Sequence, residues 1–279
     1  MSTSIMQNEG TIRLSIFLGV LVVMALWEVA APRRRLSQDK PFRWFGNLGI
    51  VVLDTIVLRL VFPILAVGAA HWAEQKGWGL FNLLPLPGWL EVALAAALLD
   101  MIVYWQHRLF HMIPLFWRMH RMHHADPDYD VTTALRFHPL EIVLSMLIKL
   151  AAVMILGPAA LAVLIFEVLL NGTAMFNHGN VRLALGLDRW LRLAVVTPDM
   201  HRVHHSVEAG EYNTNFGFNL PWWDRLFGSY QDQPALGHEG MEIGLRAYGG
   251  KVCANLIWML VLPFKPLAAE AQGKEHDQG

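Results

Sequence analysis

Five stretches of this chain carry almost no polar residue, and their lengths set the architecture that the sequence predicts. They run approximately from Leu14 to Ala31, Leu48 to Ala70, Trp89 to Trp105, Leu140 to Leu156 and Ala159 to Phe176. A hydrocarbon core of about 30 Å takes about 20 apolar residues of helix, so each stretch is a candidate membrane span. The last two are short and separated only by Gly157 and Pro158. Joined as one kinked helix they would far exceed the thickness of a membrane, so a tight helical hairpin is the better reading. From Arg182 to Gly240 helical, turn and loop signals alternate, as expected of a cap outside the bilayer. The expected fold is all-α: an integral membrane helical bundle of about four to five spans with a cytoplasmic, histidine-rich helical cap.

Composition agrees with this reading. Of the 279 residues 54% are hydrophobic and 16% charged, against about 25% charged in soluble domains. The net charge of -1 gives no electrostatic reason to expect nucleic acid as a partner. Cys253 is the only cysteine, which rules out an internal disulfide and leaves nitrogen and oxygen as metal ligands. The first apolar run has its basic residues, Arg33, Arg34 and Arg35, after it rather than before it, so it reads as a retained anchor and not a secretion signal. The same loop continues to Lys40 and Arg43, and a Lys/Arg excess marks the cytoplasmic side. Counting spans from there, the third enters the cytoplasm just before His107 and the hairpin returns to it just before His178. A single kinked helix would instead have separated the later histidines from the earlier ones.

Eight of the thirteen histidines form three clusters: His107/His111, His120/His123/His124 and His201/His204/His205. On a helix, positions i, i+3 and i+4 share a stripe, so HxxxH and HxxHH aim several imidazoles at one point. Neutral imidazole is the commonest metal-ligating side chain. His178, isolated in FNHGN, is returned by the topology to the same face and is counted as a ninth ligand. Nine nitrogens exceed the needs of one ion, so two metals are expected, with iron favoured for redox work and zinc or manganese left open. His138, before Pro139, is a further candidate. His138 and Glu141 could bind metal, hold a ligand or cap the helix. Asp100 shares a helical stripe with Tyr104, His107 and His111. It is expected either to accept from an imidazole or to reach water at the interface, its partner being sought on a neighbouring helix. Asp100 and Glu141 are the candidate catalytic carboxylates. Glu167 and Asn171, polar at membrane depth, could border a substrate channel or bond between helices. A membrane metal transporter or metal-binding protein is the rival reading, but it would carry ligands along a path inside the spans. Haem leaves most of the histidines unexplained, and the HExxH of zinc proteases is absent.

The segments HRLFH, HRMHH, TTALRFHPLE, FNHGN and HRVHH, with YNTNFGFNLPWWDRLFGSY behind them, resemble the fatty acid hydroxylase and sterol desaturase superfamily of membrane di-iron oxygenases. The resemblance covers roughly Glu91 to Tyr230 and is nearest the alkylglycerol monooxygenase and bacterial sterol-desaturase-like branch. It implies a di-iron centre, O2 as co-substrate, and hydroxylation or desaturation of a lipid C–H bond. The ligand histidines it implies are His107, His111, His120, His123, His124, His178, His201, His204 and His205. Asn213, Asn215, Trp223 and Asp224 fall on its closing motif, with a structural role pinning the third cluster. No fused cytochrome b5 is present, so a separate electron donor is expected, a reductase with ferredoxin or cytochrome b5. The implied location is a bacterial inner membrane. The expected parts are an N-terminal membrane anchor over 1–90, a di-metal catalytic domain over 91–232, and a C-terminal apolar segment with a polar tail over 233–279. The tail from Ala268 onward is expected to be disordered, and its His276 is given no role.

Overall fold

The computed structural model describes residues 6–266, so the reading of the tail from Ala268 lies outside the described residues. Among the described residues seven helices from Glu9 onward precede the cap: α1 (Glu9–Ala30), α2 (Lys40–Val61), α3 (Ala66–Lys76), α4 (Gly88–Met112), α5 (Pro114–His124), α6 (Pro139–Leu156) and α7 (Ala160–Asn177). Shorter ones follow: α8 (Leu185–Leu191), α9 (Pro198–His204), α10 (Ala209–Tyr212), α11 (Trp222–Leu226), α12 (Gly237–Gly240) and α13 (Leu256–Val261). Among the described residues there is no strand, only isolated bridges. Five segments are long and apolar enough to cross a membrane: α1, α4, α6, α7 and the stretch Lys40–Leu83 that begins with α2.

The second span departs from the expected Leu48 to Ala70. The helix begins at Lys40, stops at Val61, and resumes as α3 only at Ala66. Pro63 has no N–H to give and its ring would clash with the carbonyl four residues back, so the helix breaks there. The predicted hairpin is present: α6 ends at Gly157, which adopts a left-handed φ of 61°. A side chain could not be added at this turn, because a Cβ on Gly157 would collide with the carbonyl of Trp78.

Helix α7 sits at the centre, packed against α1, α3 and α4, while α2 lies against α6. Small residues bring α3 close to the hairpin: Ala66, Ala69 and Ala70 share a core with Ala152, Ala160 and Val163. Close backbone approach of this kind is how helices associate where lipid supplies no hydrophobic drive. Leu26, Val29, Leu60 and Ile155 point outward and are exposed, as a lipid-facing belt requires.

The basic loop is tied to the cap. Arg33 pairs with Asp199, Lys40 with Glu28, and fully buried Arg43 bridges Asp126 and Asp130 at 2.8 Å each. Lys40 joins α2 to α1, while Arg33 and Arg43 hold the loop to the segments that carry the histidines, so the loop and the histidines lie at one end of the bundle. Burial alone would raise the pKa of Asp126, yet the Arg43 guanidinium overrides this and brings it down to about 2.

Candidate metal centre

Each histidine cluster is aimed by the end of a helix. Helix α4 delivers His107 and His111 in its last turns, and Pro114, tolerated in the first turn of a helix, starts α5 at a new angle. Helix α5 then carries His120, His123 and His124 in its final turn. His178 terminates α7. Helix α9 starts on Thr197, whose side chain accepts from the Met200 N–H, and brings in His201 and His204 with His205 as its last cap.

The nine rings meet in two groups. His107, His111, His120, His124 and His204 form one, and His123, His178, His201 and His205 the other; within each, one ring nitrogen per residue lies within 4.8 Å of all the others. All are buried except His111, which is half-buried.

The tautomers show what these nitrogens can bind. His107 Nδ1 lies 2.7 Å from the Phe216 carbonyl and His120 Nδ1 lies 2.7 Å from Glu141 Oε1. Both partners accept, so the protons sit on Nδ1 and each Nε2 presents a lone pair. Those two Nε2 atoms face one another at 3.1 Å. The second group repeats the motif: His178 Nδ1 donates to the Ala174 carbonyl and His123 Nδ1 to that of Arg136, while their Nε2 atoms are 3.1 Å apart. Charging the rings would not relieve the contact at neutral pH, because burial pushes His120 and His178 down to about 3. Two lone pairs aimed at each other in a dry interior are repulsive unless a cation is shared between them. Ring nitrogens bound at about 2.0–2.1 Å to one ion, at angles between square and tetrahedral, are about 3.0–3.4 Å apart. The residues fit two metal ions, one for each group. Both ring nitrogens of His124 and His201 and the Nε2 of His204 are buried without a hydrogen-bond partner, as expected of metal-directed donors.

The closing segment holds this cage from one side. The Thr214 carbonyl accepts from His204 Nδ1 at 2.7 Å, as that of Phe216 does from His107. Asp224 accepts from the Phe216 and Gly217 N–H groups and the Ser229 hydroxyl. Burial pushes its carboxyl up to about 6 despite these donors. Asn215, in a left-handed φ of 52°, donates to the Met200 and Gln231 carbonyls. Asn213 donates to the Ala209 carbonyl four residues back.

Three of the candidates lie outside the two groups. Asp100 does not touch an imidazole. It accepts from the Asn219 and Leu220 N–H groups and from the Trp223 indole at 2.8 Å, so it anchors the closing segment and not a ligand. His138 stands apart from both groups. It is the N-cap of α6, its Nδ1 accepting from Leu140 N at 3.1 Å while its Nε2 faces the Leu260 carbonyl. The extended backbone of that cap turns the ring away from the cage. Glu141 faces a ligand, His120, not a metal group. Glu167 pairs with Lys149 and Arg13, and Asn171 donates back to the Glu167 carbonyl. Tyr129, not singled out in the sequence, stacks on His178 and donates to the Asn177 carbonyl at 2.6 Å.

Beside the first group lies a cavity of about 280 Å³. His107, His120 and Glu141 line one end of it; Leu99, Ala152 and Phe166 line the other. Glu141 and Ala152 are eleven residues apart on α6, so the cavity runs roughly 16 Å along that helix.

A family model for fatty acid hydroxylase matches residues 92–229, a range that contains all nine histidines. The match takes in just under half of the chain. It is similar to the ornithine lipid hydroxylase OlsE of Rhizobium tropici, with 26% identity over 89% of this chain and 74% of that one. It is also similar to human alkylglycerol monooxygenase, 29% identical over 47% of this chain but only 28% of that protein. A very-long-chain aldehyde decarbonylase of Oryza sativa subsp. indica, GL1-8, is 28% identical over 65% of this chain and 67% of that one. No solved structure matches significantly. The matched residues therefore include the cage, the closing segment and four helices that line the cavity, α4 to α7.

Proposed function

We propose that this chain is a membrane-bound lipid oxygenase in which the nine histidines hold two iron ions. The observation that carries the reading is the pair of Nε2 contacts at 3.1 Å, one in each group, beside a cavity that runs into the bundle. When bound, the ions would supply the activation of O2 that no side chain can. In the net hydroxylation one oxygen atom of O2 enters a C–H bond and the other leaves as water, consuming two electrons and two protons.

The chain's residues do the rest. His107 and His120 form a cavity wall, so a lipid carbon bound there lies against the five-histidine group. Glu141 and the Phe216 and Thr214 carbonyls fix the rings of His120, His107 and His204 and raise their basicity as ligands. Asp100 and Asp224 act as positioning residues by holding the segment that supplies those carbonyls. Apolar side chains such as Phe110, packed on His120, and Phe218, packed on His107, exclude water from the reacting carbon.

Hydroxylation is preferred to desaturation because two of the relatives are named for oxygen insertion. The electrons come from a separate donor, a reductase with ferredoxin or cytochrome b5. The histidine end faces the cytoplasm of a bacterial inner membrane, a reading supported by the Arg33–Arg43 loop at that end. A metal transporter is not favoured, since the nine ligand candidates gather at one end of the bundle. Metal analysis of the purified protein should find two irons per chain, and lipid profiling of cells with and without it should find an O2-dependent product. Protein that binds no metal, or lipids unchanged by its presence, would overturn the reading.

A further inference from the structure

The buried stripe of α2 reads Arg43, Asn47, Ile50 and Asp54, at successive helical spacings. Its first two polar members are fully engaged: Arg43 with Asp126 and Asp130, and Asn47 with Thr132 and Arg136. Asp54, about two turns deeper, is 7% exposed and makes no hydrogen bond or ion pair among the described residues. It lines the cavity instead. Across the same cavity, Glu141 gives Oε1 to His120 and leaves Oε2 buried and unpartnered. The one cation that lines the cavity among the described residues, Lys149, is already held by Glu167, which also pairs with Arg13. The cavity therefore has carboxylate oxygens in search of donors at its histidine end and no free positive charge to offer an anion. An unsatisfied carboxylate at membrane depth is costly enough that its retention points to a ligand.

We infer that Asp54 selects the substrate: it accepts a hydrogen bond from an N–H or O–H group of an amphiphilic lipid. The substrate class is thus a lipid with a donor near one end, not a bare hydrocarbon or a chain whose polar atoms only accept. Because Asp54 and Glu141 sit at the histidine end, the donor-bearing end of the lipid lies against His107 and His120. The apolar remainder extends past Ala152 and Phe166. Oxidation then falls close to the polar group, not at the far end of the chain. This inference rests on the oxygenase reading only for that last statement.

The test is binding, read without turnover, of hexadecan-1-ol, hexadecylamine and the methyl ether of hexadecan-1-ol to the full chain in detergent, by native mass spectrometry. The ether keeps the oxygen and removes the donor. Wild type should bind the alcohol and the amine about tenfold tighter than the ether, the worth of one hydrogen bond to a buried acceptor. Asp54→Leu should abolish that preference. Asp54→Asn, of the same shape, should keep part of it for the alcohol and lose it for the amine. A wild-type protein without the preference, or one that Asp54→Leu leaves unchanged, overturns the proposal. Metal content measured on the same samples separates the outcomes. A donor preference in protein that yields no O2-dependent product would sink the oxygenase reading and leave the Asp54 site standing.

Discussion

The two histidine groups share α5 and α9 but differ in their third helix, α4 for the five and α7 for the four, and they face different surroundings. The five-membered group lines the cavity through His107 and His120 and comes nearest to solvent at half-buried His111. The four-membered group is buried throughout, with Tyr129 stacked on His178 and Phe137 on His123. Their ring acceptors differ as well. His120 leans on a carboxyl group, Glu141, whereas His178 leans on the Ala174 carbonyl and the Asn177 amide oxygen and His123 on the Arg136 carbonyl. One group is thus exposed to substrate and adjustable, the other enclosed and fixed by the fold. In an enzyme with two metals, this separates the ion that meets the lipid from the ion that is kept from it.

The largest test removes a ligand from each side. His123→Ala leaves three nitrogens in the enclosed group, and His204→Ala leaves four in the open one. Both should abolish turnover, but metal analysis should show His123→Ala falling towards one ion per chain, with His204→Ala retaining more. Equal metal loss would break the asymmetry, and full activity in either variant would remove that histidine from the cage.

Acid should act on both groups alike. In the metal-free protein burial holds His120, of the open group, and His178, of the enclosed one, down at about 3, against about 6.5 in an unfolded chain. Between those values the unfolded state binds more protons, so stability is full above about 6.5 and is lost as pH falls towards about 3. Metal binding needs the same neutral rings, so both ions should leave over one pH range. Thermal unfolding of metal-free protein across this range checks the sign; stability that rises on acidification would contradict it.

A smaller effect comes from Glu141→Gln, which keeps the shape but weakens the acceptor for His120 Nδ1. A loss of about 10–100-fold in metal affinity or activity is expected, confined to one ion per chain. Kinetics together with metal titration measure it. An equal effect on both ions would show that the groups are coupled more tightly than their separate acceptors suggest.

The asymmetry also explains what the sequence could tell. The three clusters were legible because ligands three and four residues apart share a helix face whatever the rest of the fold does. The hairpin was legible from length, since two apolar runs could not be one span. The grouping into five and four was not, because His123 falls in one group and its neighbours His120 and His124 in the other. Nor were the acceptors at Phe216 and Thr214, which are main-chain carbonyls and leave no side-chain signature. Asp100 was noticed as a carboxylate in an apolar span but misassigned, since its partners lie over a hundred residues away in the closing segment. Asp54 carried the same signal, a charge at membrane depth, and was passed over.

His138 gives the smallest and sharpest contrast. It resembled a ligand because the topology put it at the correct end of the bundle, and proximity at that scale does not orient a ring. As the N-cap of α6 it accepts from Leu140 N, and its other nitrogen reaches the Leu260 carbonyl. His138→Ala should therefore lose about 1 kcal/mol from the cap, with a further contribution of similar size from the second bond. Asn is among the best N-caps, so His138→Asn should recover the first part and not the second. Neither variant should lose metal. Thermal unfolding orders the three proteins, wild type above Asn above Ala, and metal analysis alongside it distinguishes a cap from a tenth ligand. If the Asn variant regained stability but lost an ion, the open group would extend to α6 and the boundary drawn here between cage and scaffold would have to move.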